Sequence, residues 1–355
     1  VYMALNFIGH WDWMLSDYNF RSPLVPGFLS FEILVTGEQY EIYWTSLVLY
    51  TSALWQIQHL CERFSDKYRS ILCIVVFALL PVTRFWGQMA MTDVAVTGML
   101  FFLLHLMLNK NEKFRYYSLF IGVTAAAVFL TKYTFIYLFG IGFWYIIRGE
   151  KIQNIKQFFI GWFLISLPWY LHQYFVYARN ALLIHQTEFV VNSATGTVGS
   201  HTWVDFLDDI THELHIILIL VSCLGIYNLF IHRKKDLELI CVIIGPLIIL
   251  NGLILDWGEP RYNLPILAFI ILFCSISLKK DVGGKLVDYN RRKITDYFPY
   301  ICSFLLIANG LIHIYSMPEE SEYANERIEQ FNHWTDFSIE VLTGLEDDDV
   351  LLAGW

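Results

Sequence analysis

The chain has 355 residues, of which 56% are hydrophobic and only 16% charged, and its formal net charge is −9. This composition argues against a soluble protein of two domains, and the negative charge gives no reason to expect a nucleic-acid partner. It indicates an α-helical protein that lies in a lipid bilayer.

Two amphipathic segments open the chain, Tyr2–Met14 and Leu24–Leu34, on either side of the polar stretch SDYNFRSP. Both are shorter than the roughly 20 residues that cross a bilayer. Their aromatic side chains are typical of the interface between membrane and water. We therefore expect residues 1–40 to form an extracytoplasmic loop with interfacial helices.

Ten apolar stretches follow, several of them shorter than a full membrane span. They are Glu41–Leu60, Ser70–Trp86, Val94–Leu108, Tyr116–Leu130, Phe135–Ile147, Ile155–Tyr177, Glu213–Ile231, Leu237–Leu255, Tyr262–Leu278 and Tyr297–Tyr315. They predict an all-α, polytopic bundle of about ten transmembrane helices over residues 41–316. We expect the acidic residues 317–355 to be the truncated start of a soluble extracytoplasmic domain.

Basic residues cluster in every second loop between these stretches. Of the 24 lysines and arginines, all but six lie in these loops, which the positive-inside rule makes cytoplasmic. The other six are Arg21, Arg84, Lys132, Arg179, Arg261 and Arg327. The sequence therefore places them, together with Asp93, on the extracytoplasmic side of a multi-pass protein of the plasma membrane or endoplasmic reticulum.

Asp93 is the strongest catalytic candidate, because it is a lone carboxylate between two long apolar runs, in the stretch GQMAMTDVAVTG. An ionised aspartate at membrane depth is costly unless it faces water or a partner, and such residues are usually functional. Asp93 would act as a general base or orient a substrate. Alternatively, an aspartate before an apolar run is a favoured helix N-cap.

Three cations of the same side are candidates for binding a phosphate: Arg21 in NFRSPLVPG, Lys132 in FLTKYTF and Arg261 in DWGEPRYNLP. Guanidinium and ammonium groups are common phosphate ligands, but each residue could equally be an interfacial anchor that reaches lipid headgroups. In the last stretch, Glu259 is a candidate salt partner and Tyr262 a candidate hydrogen-bond donor.

Other chemistry has weaker support. Asp12 and Asp17 could bind an acceptor or a cation, although solvated interfacial carboxylates explain them as well. The residues that would permit a divalent-metal site are His185, Glu188, His201, Asp205, Asp208, Asp209, His212 and His215. Their spacing matches no tight ligand motif, so no metal or other cofactor is indicated. The sequence has no P-loop and no GxGxxG, which disfavours a nucleotide-driven enzyme or pump.

The order of these features resembles the polytopic GT-C glycosyltransferases of the protein O-mannosyltransferase and lipid A aminoarabinose transferase group. The matching elements are the segment Tyr2–Trp13 with FRSPLVPGF, the ILVTG turn, the ALLP run before MAMTD, FLTKYTF, and PRYNLP. The resemblance covers most of residues 1–315. It implies an inverting enzyme that moves a sugar from a polyprenyl-phosphate carrier to a protein, lipid or glycan acceptor outside the cytoplasm.

The resemblance also implies roles for single residues. Asp93 is similar to the second outer-loop aspartate of the family, Arg21 takes the place of the residue that contacts the carrier phosphate, and Lys132 and Arg261 fall where charged residues line the donor pocket. The Asp-Glu pair that usually precedes a stretch like VYMALNFIG would lie before Val1. Two alternatives are a transporter or flippase of lipid-linked saccharides, and an oligosaccharyltransferase-like enzyme, which would need a metal site.

Overall fold

A computed structural model describes residues 23–36, 43–87, 91–109, 115–177, 203–251 and 260–277 of the chain, together with 304, 307 and 308. The chain divides into two compact units, Val1–Gly310 and Leu311–Trp355. All of the described residues belong to the first unit, and their regular structure is helical.

Short turns join most of the described helices. In chain order these are α1 (Leu24–Thr36), α2 (Tyr43–Phe64), α3 (Lys67–Leu79), α4 (Pro81–Gly87), α5 (Thr92–Leu108), α6 (Tyr117–Thr131), α7 (Gly140–Ile147), α8 (Ile152–Tyr177), α9 (Trp203–His232), α10 (Lys234–Ile249) and α11 (Leu264–Ser277). Two 3₁₀ helices, Tyr133–Phe139 and Pro260–Asn263, precede α7 and α11.

The predicted apolar stretches coincide with helices wherever the structure describes them, but three are divided. One of these is Tyr262–Leu278, which begins in the 3₁₀ helix before α11. Ser70–Trp86 forms α3 and α4, because Pro81 lacks the N–H that would continue α3 and suits the first position of a new helix. Phe135–Ile147 begins as a 3₁₀ helix before α7. Tyr2–Met14 and almost all of Tyr297–Tyr315 lie outside the described residues, so the count of about ten helices stays a prediction.

None of the described helices combines the length and the apolar character that crossing a membrane requires.

Helix α11 forms the centre of the bundle. Every residue from Leu264 to Ser277 is buried except Ile270, and the helix lies against α2, α3, α5 and α9. A helix that is apolar around its whole circumference is stable only when it is surrounded on all sides. The first turn of α11 is therefore held in place by its neighbours, and the 3₁₀ helix Pro260–Asn263 directly precedes it.

Glycines allow close approach of the helices at two interfaces. A Cβ on Gly122 of α6 would lie 2.1 Å from the carbonyl oxygen of Phe158 in α8, and a Cβ on Gly225 of α9 would lie 1.9 Å from that of Phe273 in α11. Backbones can come this close only where no side chain intervenes. The two contacts fix α6 against α8 and α9 against α11, and so fix where α6 ends.

Helix α1 packs across the start of α2 and of α5. Its buried apolar face contacts Ala95 of α5. The residues of that face are Val25, Leu29 and Ile33. The buried carboxylate of Glu32 accepts hydrogen bonds from the backbone N–H groups of Trp44 and Thr45, each at 2.9 Å. It thereby satisfies amides that the first turn of α2 leaves without an intrahelical partner.

Cationic side chains lie at the opposite end of α5. Arg63 contacts the side chain of Asn109 and donates to the carbonyl oxygen of Leu108 at 3.0 Å. Arg233 lies over Phe64, with 5.4 Å between its Cζ and the ring centroid. At 1.5 Å per residue, the 17 residues of α5 place this basic end about 25 Å from the end that carries Asp93.

Candidate functional site

Asp93 lies in the first turn of α5, and only 3% of the residue is exposed. Met91, with extended backbone at φ −93° and ψ 146°, occupies the N-cap position. The alternative expectation that Asp93 itself caps the helix is therefore wrong, because Asp93 already lies within the helix. A carboxylate in a first turn is favoured by the helix dipole, but when buried it also needs a partner from another element.

Lys132 is that partner. It is the C-cap residue of α6, where the backbone becomes extended at φ −154° and ψ 116°. Its Nζ lies 2.5 Å from Oδ1 of Asp93. The lysine side chain is 19% exposed and the aspartate side chain 4%, so this ion pair is largely shielded from water and is stronger electrostatically than a surface pair.

Tyr262 and Arg261 come to the same place from the 3₁₀ helix before α11. The Nζ of Lys132 lies 4.0 Å from the centroid of the Tyr262 ring. Arg261 donates from Nη2 to the Tyr262 hydroxyl at 3.3 Å, and its Cζ is 5.2 Å from the same ring centroid. Four predicted site residues from three distant parts of the chain thus meet at one end of the bundle.

Arg261 also contacts two residues that sequence reasoning missed. Its Cζ lies 4.9 Å from the centroid of the Trp86 ring, and its Nη1 lies 3.6 Å from Sδ of Met91. Trp86 is at the end of α4, which packs against the 3₁₀ helix of Arg261. In the sequence, these two residues stand out only because they lie near Asp93. The apolar run that ends in Trp86 does not indicate which cation the tryptophan will contact in the folded protein.

Aromatic side chains form the wall beside Lys132. Tyr133 lies 5.3 Å from Phe129, measured between ring centroids, and Phe129 lies 5.5 Å from Trp162. Trp169 donates from Nε1 to the Tyr133 hydroxyl at 2.6 Å. Burial raises the pKa of the Tyr133 phenol, so this group stays neutral at physiological pH and adds no charge to the site.

The other predicted site residues lie outside the described residues. This holds for Arg21, Asp12, Asp17 and Glu259. It also holds for three of the candidate metal ligands, His185, Glu188 and His201, and the side chains of Asp205, Asp209, His212 and His215 are likewise outside the described part. Asp208 is exposed on α9. Within the described residues, no group of three or more histidines, cysteines or carboxylates could hold a metal ion.

The side chains that meet here are suited to proton transfer and to binding an anion. Two cations lie against a single aromatic ring, and one of them, Lys132, pairs with the buried carboxylate of Asp93. A carboxylate held in this way can accept a proton, and the two cations can bind an anionic group that arrives beside it. These are the requirements of a transfer reaction whose leaving group is an anion.

Sequence comparison gives no relative: no protein-family model and no curated protein matches the chain. In structure the chain is similar to ArnT from Cupriavidus metallidurans bound to undecaprenyl phosphate, with a TM-score of 0.67 and 11% identity over 98% of this chain and 76% of that one. It is also similar to the apo state of the same protein, with a TM-score of 0.55 and 10% identity over 91% of this chain and 68% of that one. At this level of identity, the similarity shows that the chain shares the fold of ArnT.

Proposed function

We propose that the protein is an integral membrane glycosyltransferase of the GT-C type, which moves a sugar from a polyprenyl-phosphate carrier to a protein, lipid or glycan acceptor. The observation that carries the proposal is the meeting of Asp93, Lys132, Arg261 and Tyr262 at one end of an ArnT-like bundle. Two findings agree with it: one ArnT structure contains undecaprenyl phosphate, and the order of motifs in this sequence resembles the GT-C superfamily.

The proposed reaction is a single displacement. A hydroxyl or amino group of the acceptor attacks the anomeric carbon, while the bond between that carbon and the phosphate oxygen breaks. The carboxylate of Asp93 takes the acceptor's proton, and the electron pair of the broken bond stays on the phosphate, which leaves as polyprenyl phosphate. Attack opposite the leaving group inverts the anomeric centre.

Lys132 and Arg261 supply positive charge where the phosphate gains negative charge. Because Lys132 is already paired with Asp93 at 2.5 Å, an arriving phosphate competes with the carboxylate for the same ammonium group. When the phosphate takes Lys132, it releases Asp93 to act as a base. Binding of the donor would thus activate the group that deprotonates the acceptor.

The remaining pocket residues rest on the sequence alone. Arg21 would be a third ligand of the carrier phosphate, because a guanidinium can bind two phosphate oxygens at once. Asp12, Asp17 and Glu259 would line the pocket of the acceptor or the sugar. No role in this reaction requires a metal ion.

The surface of α9 supports a location in the membrane. One face of this helix buries apolar side chains against the rest of the bundle, while a stripe on the other face is apolar and exposed. The exposed stripe consists of Ile216, Leu220, Leu224, Tyr227 and Ile231. A helix that is apolar on both faces suits a position between protein and lipid, so we take the bilayer as the route by which the prenyl carrier arrives.

We assign the site to the extracytoplasmic side of a multi-pass protein. Several described arginines at the other end of the bundle, among them Arg63, Arg148 and Arg233, lie in or beside connections that the positive-inside rule makes cytoplasmic. Arg148 pairs there with Glu238 of α10. Asp93 lies at the far end of α5, about 25 Å away.

Sugar transfer by the purified chain tests the proposal. Radiolabelled polyprenyl-phosphate hexoses and pentoses would be offered to wild type, Asp93→Asn and the matched control Asp236→Asn, whose carboxylate pairs with Arg233 at 3.6 Å at the basic end. We expect Asp93→Asn to lower transfer by about 100-fold or more, as loss of a general base does, and the control to transfer normally. A wild-type protein that transfers no sugar but moves these lipids across a liposome membrane would be a flippase instead.

A further inference from the structure

One aromatic ring lies against both cations of the site. The Tyr262 centroid is 4.0 Å from Nζ of Lys132 and 5.2 Å from Cζ of Arg261. The distance between Nζ and Cζ therefore cannot exceed the sum of these two distances. Like charges this close repel each other, and more so where water is largely excluded. Asp93 offsets part of this repulsion at Lys132, and the Tyr262 ring is a group that contacts both cations.

The Tyr262 ring is well placed to hold them because its backbone is fixed from two sides. The side chain of Asn251, which follows α10, donates to the carbonyl oxygen of Tyr262 at 2.7 Å. The next residue, Asn263, is buried at the end of the 3₁₀ helix, directly before the central helix. The ring is thus positioned by α10 and α11, which carry neither Asp93 nor Lys132.

The chemistry of the ring distinguishes it from a carboxylate. The face of an aromatic ring carries partial negative charge and attracts ammonium and guanidinium groups. Such a ring attracts both cations without neutralising them, whereas a carboxylate in the same place would compete with an anionic ligand. On its other side, Arg261 lies over Trp86, so the guanidinium has aromatic contacts at two rings.

We propose that Tyr262 is the positioning residue of the donor site, whose ring holds Lys132 and Arg261 on either part of one aromatic surface, where a single phosphate group can contact both cations. This inference rests on the proposed function. It explains what happens when a phosphate displaces Asp93 from Lys132: the ammonium group loses its carboxylate partner but keeps its contact with the ring. The two cations then remain in place around the phosphate.

The ring and the hydroxyl of Tyr262 have separable contributions. Tyr262→Phe keeps the ring and removes only the contact of 3.3 Å with Arg261, so we expect its Kd for undecaprenyl phosphate to change by less than about threefold. Tyr262→Leu removes the ring from both cations. We expect its Kd to rise by about tenfold, the range of a shielded cation–π contact.

The experiment measures binding of undecaprenyl phosphate, without any sugar, to the purified full chain in detergent. The variants are Tyr262→Phe, Tyr262→Leu, Lys132→Met and the double variant Lys132→Met/Tyr262→Leu, with Tyr227→Leu as a control at an exposed tyrosine of α9. If the ring acts through the cation, the loss caused by Tyr262→Leu is smaller in the Lys132→Met background than in wild type. A ring that serves only to stabilise the fold would give equal losses in both backgrounds.

The outcomes separate this inference from the proposed function. Wild-type protein that binds no undecaprenyl phosphate overturns the proposed function. Wild-type protein that binds it, with Tyr262→Leu equally tight or with equal losses in both backgrounds, overturns only the role of Tyr262. Unfolding temperatures are measured for every variant. If Tyr262→Leu unfolds early, Tyr262→Met takes its place, and Tyr262→Phe must then bind more tightly than Tyr262→Met.

Discussion

The carboxylate of Asp93 and the ammonium group of Lys132 lie 2.5 Å apart, although 39 positions separate the two residues in the chain. Their contact joins the first turn of α5 to the residue that ends α6. Both side chains are largely buried, so each charge neutralises the other where little water can reach. Removing one of them leaves a charge in surroundings that solvate it poorly.

Stability measurements can detect this dependence. We expect Lys132→Met to lower the free energy of unfolding by about 3 kcal/mol, because breaking a buried ion pair strands its partner. Asp93→Asn/Lys132→Met, which removes both charges, should recover most of that loss. The quantity to measure is the denaturant or thermal unfolding midpoint in detergent.

An exposed lysine provides the control for that series. Lys156→Met, on the outside of α8, should leave the midpoint almost unchanged, because surface charges contribute little. A double variant less stable than Lys132→Met alone would contradict the ion-pair interpretation.

Binding of the carrier gives the second prediction. In Asp93→Asn, Lys132 loses its ion pair with Asp93, so undecaprenyl phosphate no longer competes with that carboxylate for the ammonium group. We expect this variant to bind the lipid at least as tightly as wild type and to be inactive in sugar transfer. Titration of the lipid into each purified variant measures this, with Asp236→Asn as the unchanged reference. Binding that is weakened as much as in Lys132→Met would show instead that Asp93 is needed to order the site.

Much of the helical layout could be predicted from apolar runs, because the length of such a run nearly fixes a helix. The sequence also allows the prediction that Asp93, Lys132 and Arg261 lie at the same end of the bundle. Each of them is next to an apolar stretch, on the side with few basic residues. Alternation of the helices brings such positions to the same end of a bundle. Their grouping therefore followed from topology and needed no knowledge of side-chain geometry.

Contacts between particular side chains could not be predicted in this way. Nothing in the order of residues indicated that Lys132 would pair with Asp93 and not with Glu259, or that Trp86 would lie beside Arg261. Glu32 lies within an amphipathic segment and has no distinguishing motif. The backbone amides of α2 to which it binds are brought close to it only when the protein folds. Such contacts are decided by helix rotation and packing, to which hydrophobic periodicity is insensitive.

The close approach of α9 and α11 gives the third prediction. A Cβ on Gly225 would lie 1.9 Å from the carbonyl oxygen of Phe273, so Gly225→Ala must push the two helices apart. We expect a loss of about 1–3 kcal/mol in stability, as overpacking commonly causes. Gly245→Ala on α10 is the matched control, because a Cβ there meets nothing within 4 Å, and it should be neutral or slightly stabilising. Equal unfolding midpoints for the two variants would contradict the packing described here.

The contact of Glu32 with α2 gives the fourth prediction. Glu32→Gln replaces one acceptor oxygen by an NH₂ group, which cannot accept from Trp44 or Thr45. We expect a loss of about 1–3 kcal/mol, the cost of a buried amide left without its partner, and faster proteolysis between α1 and α2. Glu62→Gln, a partly exposed site near the other end of α2, controls for the change of charge. If both variants are cleaved at the wild-type rate, Glu32 does not hold α1 in place.

Arg261 gives the last prediction, because its environment suits a planar guanidinium and not a lysine. Its Cζ is 4.9 Å from the Trp86 centroid and 5.2 Å from that of Tyr262, and a flat cation can contact both rings at once. Arg261→Lys keeps the charge but loses this geometry. We expect the KM for the polyprenyl-phosphate sugar to rise by about tenfold with a smaller change in kcat, because the contact is made in the ground state as well as in the transition state.

Arg115→Lys is the matched control, since Arg115 lies over its neighbour Tyr116 at 5.6 Å near the basic end and should keep wild-type kinetics. A fall in kcat at constant KM in Arg261→Lys would mean that the guanidinium acts only on the transition state, and would remove Arg261 from the set of residues that bind the donor.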